Sequence, residues 1–280
     1  MKPNLQEVQH IELEILKKFH DFCESHGLKY VLGYGTLLGA VRHKGFIPWD
    51  NDIDVLMPRD DYDKFLKIVT TENIADHLYV QHYTLDPRYH YMCARVCDAN
   101  TRVNVPYIKE QPTRLGLWID IFPMDGVGNK SFRLAVQMLM LKWYWLLFRA
   151  DVYGSTYKNS RTRLNYHIKK VAMHLFRNHD NKHNYSIDRI CQWFPFRDSI
   201  DVAFLFGEEG VCTMPRSDFD NLIKIQFEDG EFYCSKSYDD FLKQCYGDYM
   251  TLPSEEDRIT HDIDVEIVSS NEQDGRGDFV

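Results

Sequence analysis

Apolar residues recur at helical spacing from the start of the chain. Leu5, Val8, Ile11, Ile15, Leu16, Phe19, Phe22 and Cys23 predict an amphipathic helix that His26-Gly27 stops. Tyr30-Val31-Leu32 reads as a buried strand running into Gly33-Tyr34-Gly35-Thr36, with a short helix expected from Leu37 to Arg42. Beyond it the period falls to two: Asp50, Asp52 and Asp54 share one face of an extended segment, and Ile53, Val55 and Met57 share the other. Pro58 and Asp60-Asp61 open a further helix carrying Tyr62, Phe65, Leu66 and Val69. Its opening string, M-P-R-D-D-Y-D, returns in part as M-P-R-S-D-F-D at 214–220, two similar helix starts and not a domain repeat.

Strands are expected at 78–83, 89–97, 101–109 and 117–122, separated by Asp86-Pro87, Asp98-Ala99-Asn100 and a turn containing Pro112. Leu134 to Phe148 is strongly apolar but shorter than the roughly 20 residues of a membrane crossing, so a core helix is expected. Ile225-Gln226-Phe227 and Phe232-Tyr233-Cys234 flank Asp229-Gly230 as a hairpin. Tyr238, Phe241, Leu242, Cys245 and Tyr246 form one face of a last helix ended by Gly247.

Composition narrows the class. With 280 residues, 44% hydrophobic and 14% aromatic, the chain can bury a sizeable core. Of the net charge of −9, residues 254–280 contribute nine acids against two bases, so the rest is near neutral and no broad nucleic-acid surface is indicated. Seven cysteines without C-x-x-C spacing fit reduced thiols, and the polar N-terminal helix has no secretory pattern; a cytoplasmic location is expected. Cys93 and Cys97, near His82 and His90, are candidate zinc ligands against the commoner outcome of buried free thiols. Lys158 to Lys182 carries seven bases and one acid, which suits a solvated helical face or, alternatively, peripheral contact with an anionic bilayer.

The chemistry concentrates between residues 33 and 55. Gly33, Gly35 and Gly39 allow tight turning and close approach of a ligand, and the helix start at Gly35-Thr36 suits a phosphate. Two carboxylates ~4 Å apart repel by roughly 4 kcal/mol at an effective dielectric of about 20, so the acids of the next segment call for a cation or a shared proton. Magnesium or manganese matches oxygen ligands of this kind. Arg42, His43, Lys44 and Arg95 are candidates for neutralising phosphate oxygens. Asp120 lies between aromatics on its strand and needs a partner, either a nearby arginine or an ion.

The run G-T-L-L-G-A-V-R-H-K-G-F-I-P-W-D-N-D-I-D at 35–54 resembles the signature of the LicD family of the nucleotidyltransferase superfamily. D-I-F-P-M-D-G at 120–126 and Y-G-D-Y-M-T-L-P at 246–253, with Arg258 and His261 beyond, resemble it less strongly. The resemblance implies an α/β fold with a mixed-sheet, DNA polymerase β-like core at 1–130. A mostly helical half at 131–268 would complete the cleft, followed by a flexible acidic tail at 269–280. It implies Asp52, Asp54 and Asp120 as metal ligands, with Asp120 taking a proton and Gly35-Thr36 holding phosphate. Asn51 stands where many relatives carry another Asp. The implied reaction moves phosphocholine from a CDP-activated donor, CDP-choline, to a sugar of teichoic acid, lipopolysaccharide or a lipid-linked glycan. Trp49, Trp118 or Tyr34 could face the quaternary ammonium. Alternatives are a CDP-ribitol or CDP-glycerol donor, an Asp-x-Asp nucleotide-sugar glycosyltransferase, and a non-catalytic nucleotide-binding module.

Overall fold

Asn4 begins the first helix with a reciprocal cap: its side chain accepts the Glu7 N–H while Glu7 accepts the Asn4 N–H. Helix α1 (Leu5–His26) ends at Gly27, whose φ of 61° favours glycine. In this computed structural model, residues 2–105, 115–128, 132–152, 181–206, 211–258, 260 and 263–268 are described. The expected tail at 269–280, most of the basic run, the Pro112 turn and His261 lie outside them.

The apolar face of α1 packs on a mixed sheet of seven strands. Its central path is β1 (Val31–Leu32), β2 (Asp54–Pro58), β6 (Trp118–Val127), β4 (Ala94–Asp98) and β3 (Leu78–Gln81). β2 and β6 run parallel; β1 with β2, β6 with β4, and β4 with β3 are antiparallel. β7 (Asp201–Ala203) joins the far part of β6 and pairs in turn with β8 (Met214–Pro215). Helix α2 (Tyr34–Arg42) connects β1 to the acidic segment, and α3 (Arg59–Ile68) leaves β2 with Tyr62 and Phe65 buried.

The strand limits differ from expectation where pairing partners run out. Residues 89–93 are not strand, and β5 is confined to Thr101–Asn104 among the described residues. β6 instead continues through Pro123 to Val127. Pro123 falls after Ile121, the last residue paired with β4, and before Asp125, the first paired with β7, so its missing N–H costs neither neighbour a bond. The second M-P-R string opens only a short 3-10 turn, Arg216–Asp220.

Among the described residues the second half contributes, beside its helices, β7 and β8, the hairpin β9 (Ile223–Phe227) and β10 (Gly230–Cys234), and β11 (Asp264–Ile267). β11 pairs with β5 over a small cluster of Val8, Cys97, Val103, Val105, Leu117 and Val265. The hairpin and α6 (Tyr238–Tyr246), with Gly247 at its end, lie where the periodicity places them.

Helix α4 (Phe132–Val152) departs from the core helix expected there. Leu141 and Gln137 are buried against α5 (Lys182–Cys191), and Gln137 donates to the Ile190 carbonyl at 2.7 Å. Phe132, Leu139, Trp143 and Leu146 are exposed on one side. Among the described residues no helix is long and apolar enough to cross a membrane.

Candidate active site

The parallel register of β2 and β6 sets Asp54 directly opposite Asp120. The Asp120 N–H donates to the Ile53 carbonyl at 2.8 Å, extending the ladder one residue before β2. Extended alternation holds here as expected: Ile53, Val55 and Met57 are wholly buried, whereas Asp52 and Asp54 keep partial access. The backbone of Asp54 is clamped on both sides. Its N–H donates to the Thr36 hydroxyl at 2.8 Å, and its carbonyl accepts the Gly33 N–H at 2.9 Å.

Helix α2 therefore starts earlier than expected, with Gly35 and Thr36 inside its first turn. Thr36 is buried and locks that turn to β2. A Cβ on Gly35 would stand 2.9 Å from an Asp50 carboxylate oxygen, so the helix start lies against the acidic segment. The other two glycines serve packing: side chains there would strike Leu56 at Gly33 and the Gly45 carbonyl at Gly39.

Asp120 is strongly engaged by its own sheet. Arg95, its register partner on β4, donates through Nε to Oδ1 at 2.8 Å; Trp118 Nε1 donates to Oδ2 at 2.9 Å; the Cys93 thiol approaches Oδ1 at 3.3 Å. The arginine partner anticipated for Asp120 is thus present. Arg95 is buried among aromatic faces, its guanidinium carbon 4.0 Å from the Trp118 ring centre and 4.4 Å from that of Tyr91. Burial works against its charge, but Asp120 together with Tyr89, Cys93 and Tyr91 outweighs it, and the guanidinium is held well above its ordinary value. Its Nη1 has no hydrogen-bond partner.

One charged guanidinium faces a larger sum of acids. Burial first, then the charges of Asp52, Asp120 and Asp50, push the Asp54 carboxyl well above the usual carboxylate range, and Arg95 counters only part of this. Glu12, from α1, is the functional candidate that the motif reading missed. It is 2% exposed, its Oε2 has no partner, and burial followed by Asp52, Asp50, Asp120 and Asp54 raises its carboxyl well above the ordinary value. The sequence did carry a signal: with Val8, Leu16 and Phe19 at helical spacing around it, position 12 is a lone acid in an apolar stripe.

Excess negative charge from carboxylates in a partly dry setting suits a hard divalent ion, and the orphaned Glu12 oxygen adds to that fit. In the conformation seen, no three His, Cys, Asp or Glu side chains among the described residues are gathered closely enough to hold a metal. The proposed zinc set takes separate partners, with His82 on Thr84, His90 on Asn181, Cys93 on Asp120 and Cys97 near Gln81.

The remaining basic candidates sit at the other end of α2, roughly 10 Å from Gly35 at 1.5 Å per residue. Arg42 donates to His43 at 2.9 Å and to the Tyr249 carbonyl at 2.8 Å, tying α2 to the Y-G-D-Y segment. Lys44 is exposed. The aromatic candidates are also occupied: Trp118 carries Arg95, Trp49 carries Arg258 at 4.9 Å, and Tyr34 packs edge-on to Phe122.

Residues 27–152 match the family described as LicD/FKTN/FKRP, nucleotidyltransferase domain. The chain is 31% identical over 281 residues to the lipopolysaccharide cholinephosphotransferase LicD of Haemophilus influenzae, a match covering 94% of this chain and 97% of that protein. This protein belongs to the LicD family. Short stretches also match uncharacterized proteins of Rickettsia typhi, 39% identical over 56 residues, and Rickettsia prowazekii, 42% identical over 48. These cover 20% and 17% of this LicD-family chain.

Proposed function

We propose that this LicD-family protein is a phosphocholine transferase with a nucleotidyltransferase-type core. It would move phosphocholine from CDP-choline to a sugar hydroxyl of a cell-surface glycan, with magnesium or manganese at the acidic site. The observation that carries this reading is the β2–β6 register, which puts Asp54 beside Asp120 with a buried, half-satisfied Arg95 between the aromatics. Near full-length similarity to a lipopolysaccharide cholinephosphotransferase supports the transferred group and the glycan acceptor.

In this mechanism the acceptor oxygen bonds to the phosphorus that carries choline, and the bond from that phosphorus to the bridging oxygen breaks, releasing CMP. Asp52, Asp54 and Asp120 would hold the ion, which when bound neutralises the diphosphate and the charge developing on the leaving oxygen. The free Nη1 of Arg95 supplies a donor to a phosphate oxygen. The first turn of α2 offers N–H groups to the same anion. The hydroxyl proton goes to a carboxylate. Both Asp120 oxygens already accept, from Arg95, Trp118 and Cys93, so Asp54, its partner across the register, takes that role.

Calorimetry with magnesium should show CDP-choline binding more tightly than CDP-ribitol, CDP-glycerol and UDP-sugars, and phosphorus NMR of the glycan product should show a new phosphodiester. Preference for a CDP-polyol would replace the head group within the family. Binding of UDP-sugars alone, with no phosphorus in the product, would make the protein an Asp-x-Asp glycosyltransferase.

We also assign the exposed face of α4 to an anionic lipid surface, where a lipid-linked acceptor resides. Phe132, Leu139, Trp143 and Leu146 fall on one helical face, and the segment that follows carries seven bases against one acid between 158 and 182. The protein should float with anionic liposomes at low salt and lose most of that binding in Leu139→Glu/Trp143→Glu. Equal recovery of both proteins with the vesicles would remove α4 from the contact, and no flotation of either would remove the membrane.

A further inference from the structure

Helix α1 does more than cover the sheet. Gln9 reaches across to donate to the Asp50 carbonyl at 2.7 Å, fixing the acidic segment against this helix. One turn further, Glu12 occupies the same face, 98% withdrawn from solvent, with one oxygen lacking any partner. The charges that bear on it are Asp52, Asp50, Asp120 and Asp54, with no basic residue among them. A buried carboxyl placed against four other acids, with one oxygen left without a donor, costs stability, and Met, Leu or Gln at that position would avoid the cost. Such an arrangement is sustained when a cation completes it.

We propose that Glu12 is a further carboxylate of the ion site, contributing Oε2 to a hard divalent cation shared with the Asp52, Asp54 and Asp120 group. This rests on the metal-dependent reading above and extends it to an element outside the family's signature run. The ligand class is an oxygen-preferring ion such as magnesium or manganese, since the five acids offer oxygen and the Cys93 thiol beside them is engaged as a donor to Asp120.

The full-length protein, its Glu12→Gln and Glu12→Leu variants, and Asp52→Asn should be titrated with manganese, following the paramagnetic resonance signal of free Mn²⁺, and melted with and without it. Wild type should bind, and both Glu12 variants should bind about ten-fold or more weakly. Without metal the Glu12 variants should melt at or above the wild-type temperature, and the manganese-induced rise in melting temperature should shrink in both. Glu12→Leu guards against a failure of the amide variant to fold. Wild-type affinity retained in both Glu12 variants, with Asp52→Asn weakened, would overturn the role of Glu12 and leave the metal reading standing. An absence of manganese binding in wild type would overturn the metal reading itself.

Discussion

Asp54→Asn should lower phosphocholine transfer by about three orders of magnitude, equivalent to roughly 4 kcal/mol of transition-state stabilisation, while making the metal-free protein more stable. Both effects come from the same crowding. The Asp54 carboxyl is raised above its ordinary range by burial and by Asp52, Asp120 and Asp50. A carboxyl raised in the folded state contributes stability that is fully present below its unfolded value and lost as pH climbs through the raised one. Asn mimics the protonated form and keeps that contribution at neutral pH, so its melting temperature without metal should exceed that of wild type. The same change removes an ion ligand and the proposed proton acceptor. Thermal melts at neutral pH together with single-turnover assays decide the matter; a stabilised variant that remains active would dissociate Asp54 from the chemistry.

Arg59→Met should be the most damaging substitution for stability, costing about 3–5 kcal/mol in urea denaturation. Arg59 is 6% exposed and grips Asp125 with both Nε and Nη2, at 2.8 and 2.7 Å, while Nη1 reaches Asp188 on α5 at 2.9 Å. One guanidinium thereby joins α3, the end of β6 and a helix from the second half. Burial raises the Asp125 carboxyl and Arg59 offsets part of that rise, so removing Arg59 strands a 2%-exposed carboxylate. The paired change Arg59→Met/Asp125→Leu should recover much of the loss, because an apolar pair of similar volume avoids the desolvation of both charges. A single-variant cost below about 1 kcal/mol would show that water reaches Asp125 readily.

The hairpin shows how far local letters reach. Asp229-Gly230 marks the reversal, yet the two-residue loop is Glu228-Asp229, with Glu228 at φ 53°. The reason is tertiary: the Glu228 carboxylate accepts the Phe46 N–H at 2.9 Å, and its own N–H donates to the Lys44 carbonyl at 2.8 Å. Those two bonds secure the loop that leads from α2 to the acidic segment. The basic residues show a limit of another kind. Arg42, His43 and Lys44 are candidates for neutralising phosphate oxygens by their place in the sequence; the fold puts them one helix length from Gly35, with Arg42 on the Tyr249 carbonyl. Likewise α4 reads as core because apolar count says nothing about what is available to cover each face; α5 covers only one.

The sequence alone determined the elements whose signals are local. These are α1 with its stop at Gly27, the hairpin, α6 with its stop at Gly247, and the alternation that separates Asp52 and Asp54 from Ile53 and Val55. Backbone geometry and side-chain period act over a few residues, so they are written in the order of the letters. Tertiary structure decided everything that requires two distant segments to meet: Asp54 beside Asp120, Arg95 and Trp118 on Asp120, Arg59 between Asp125 and Asp188, and Glu12 pressed against the acids. Strand pairing and burial set those contacts, and through them which carboxyls are raised above their ordinary range, because desolvation and charge repulsion depend on neighbours in space.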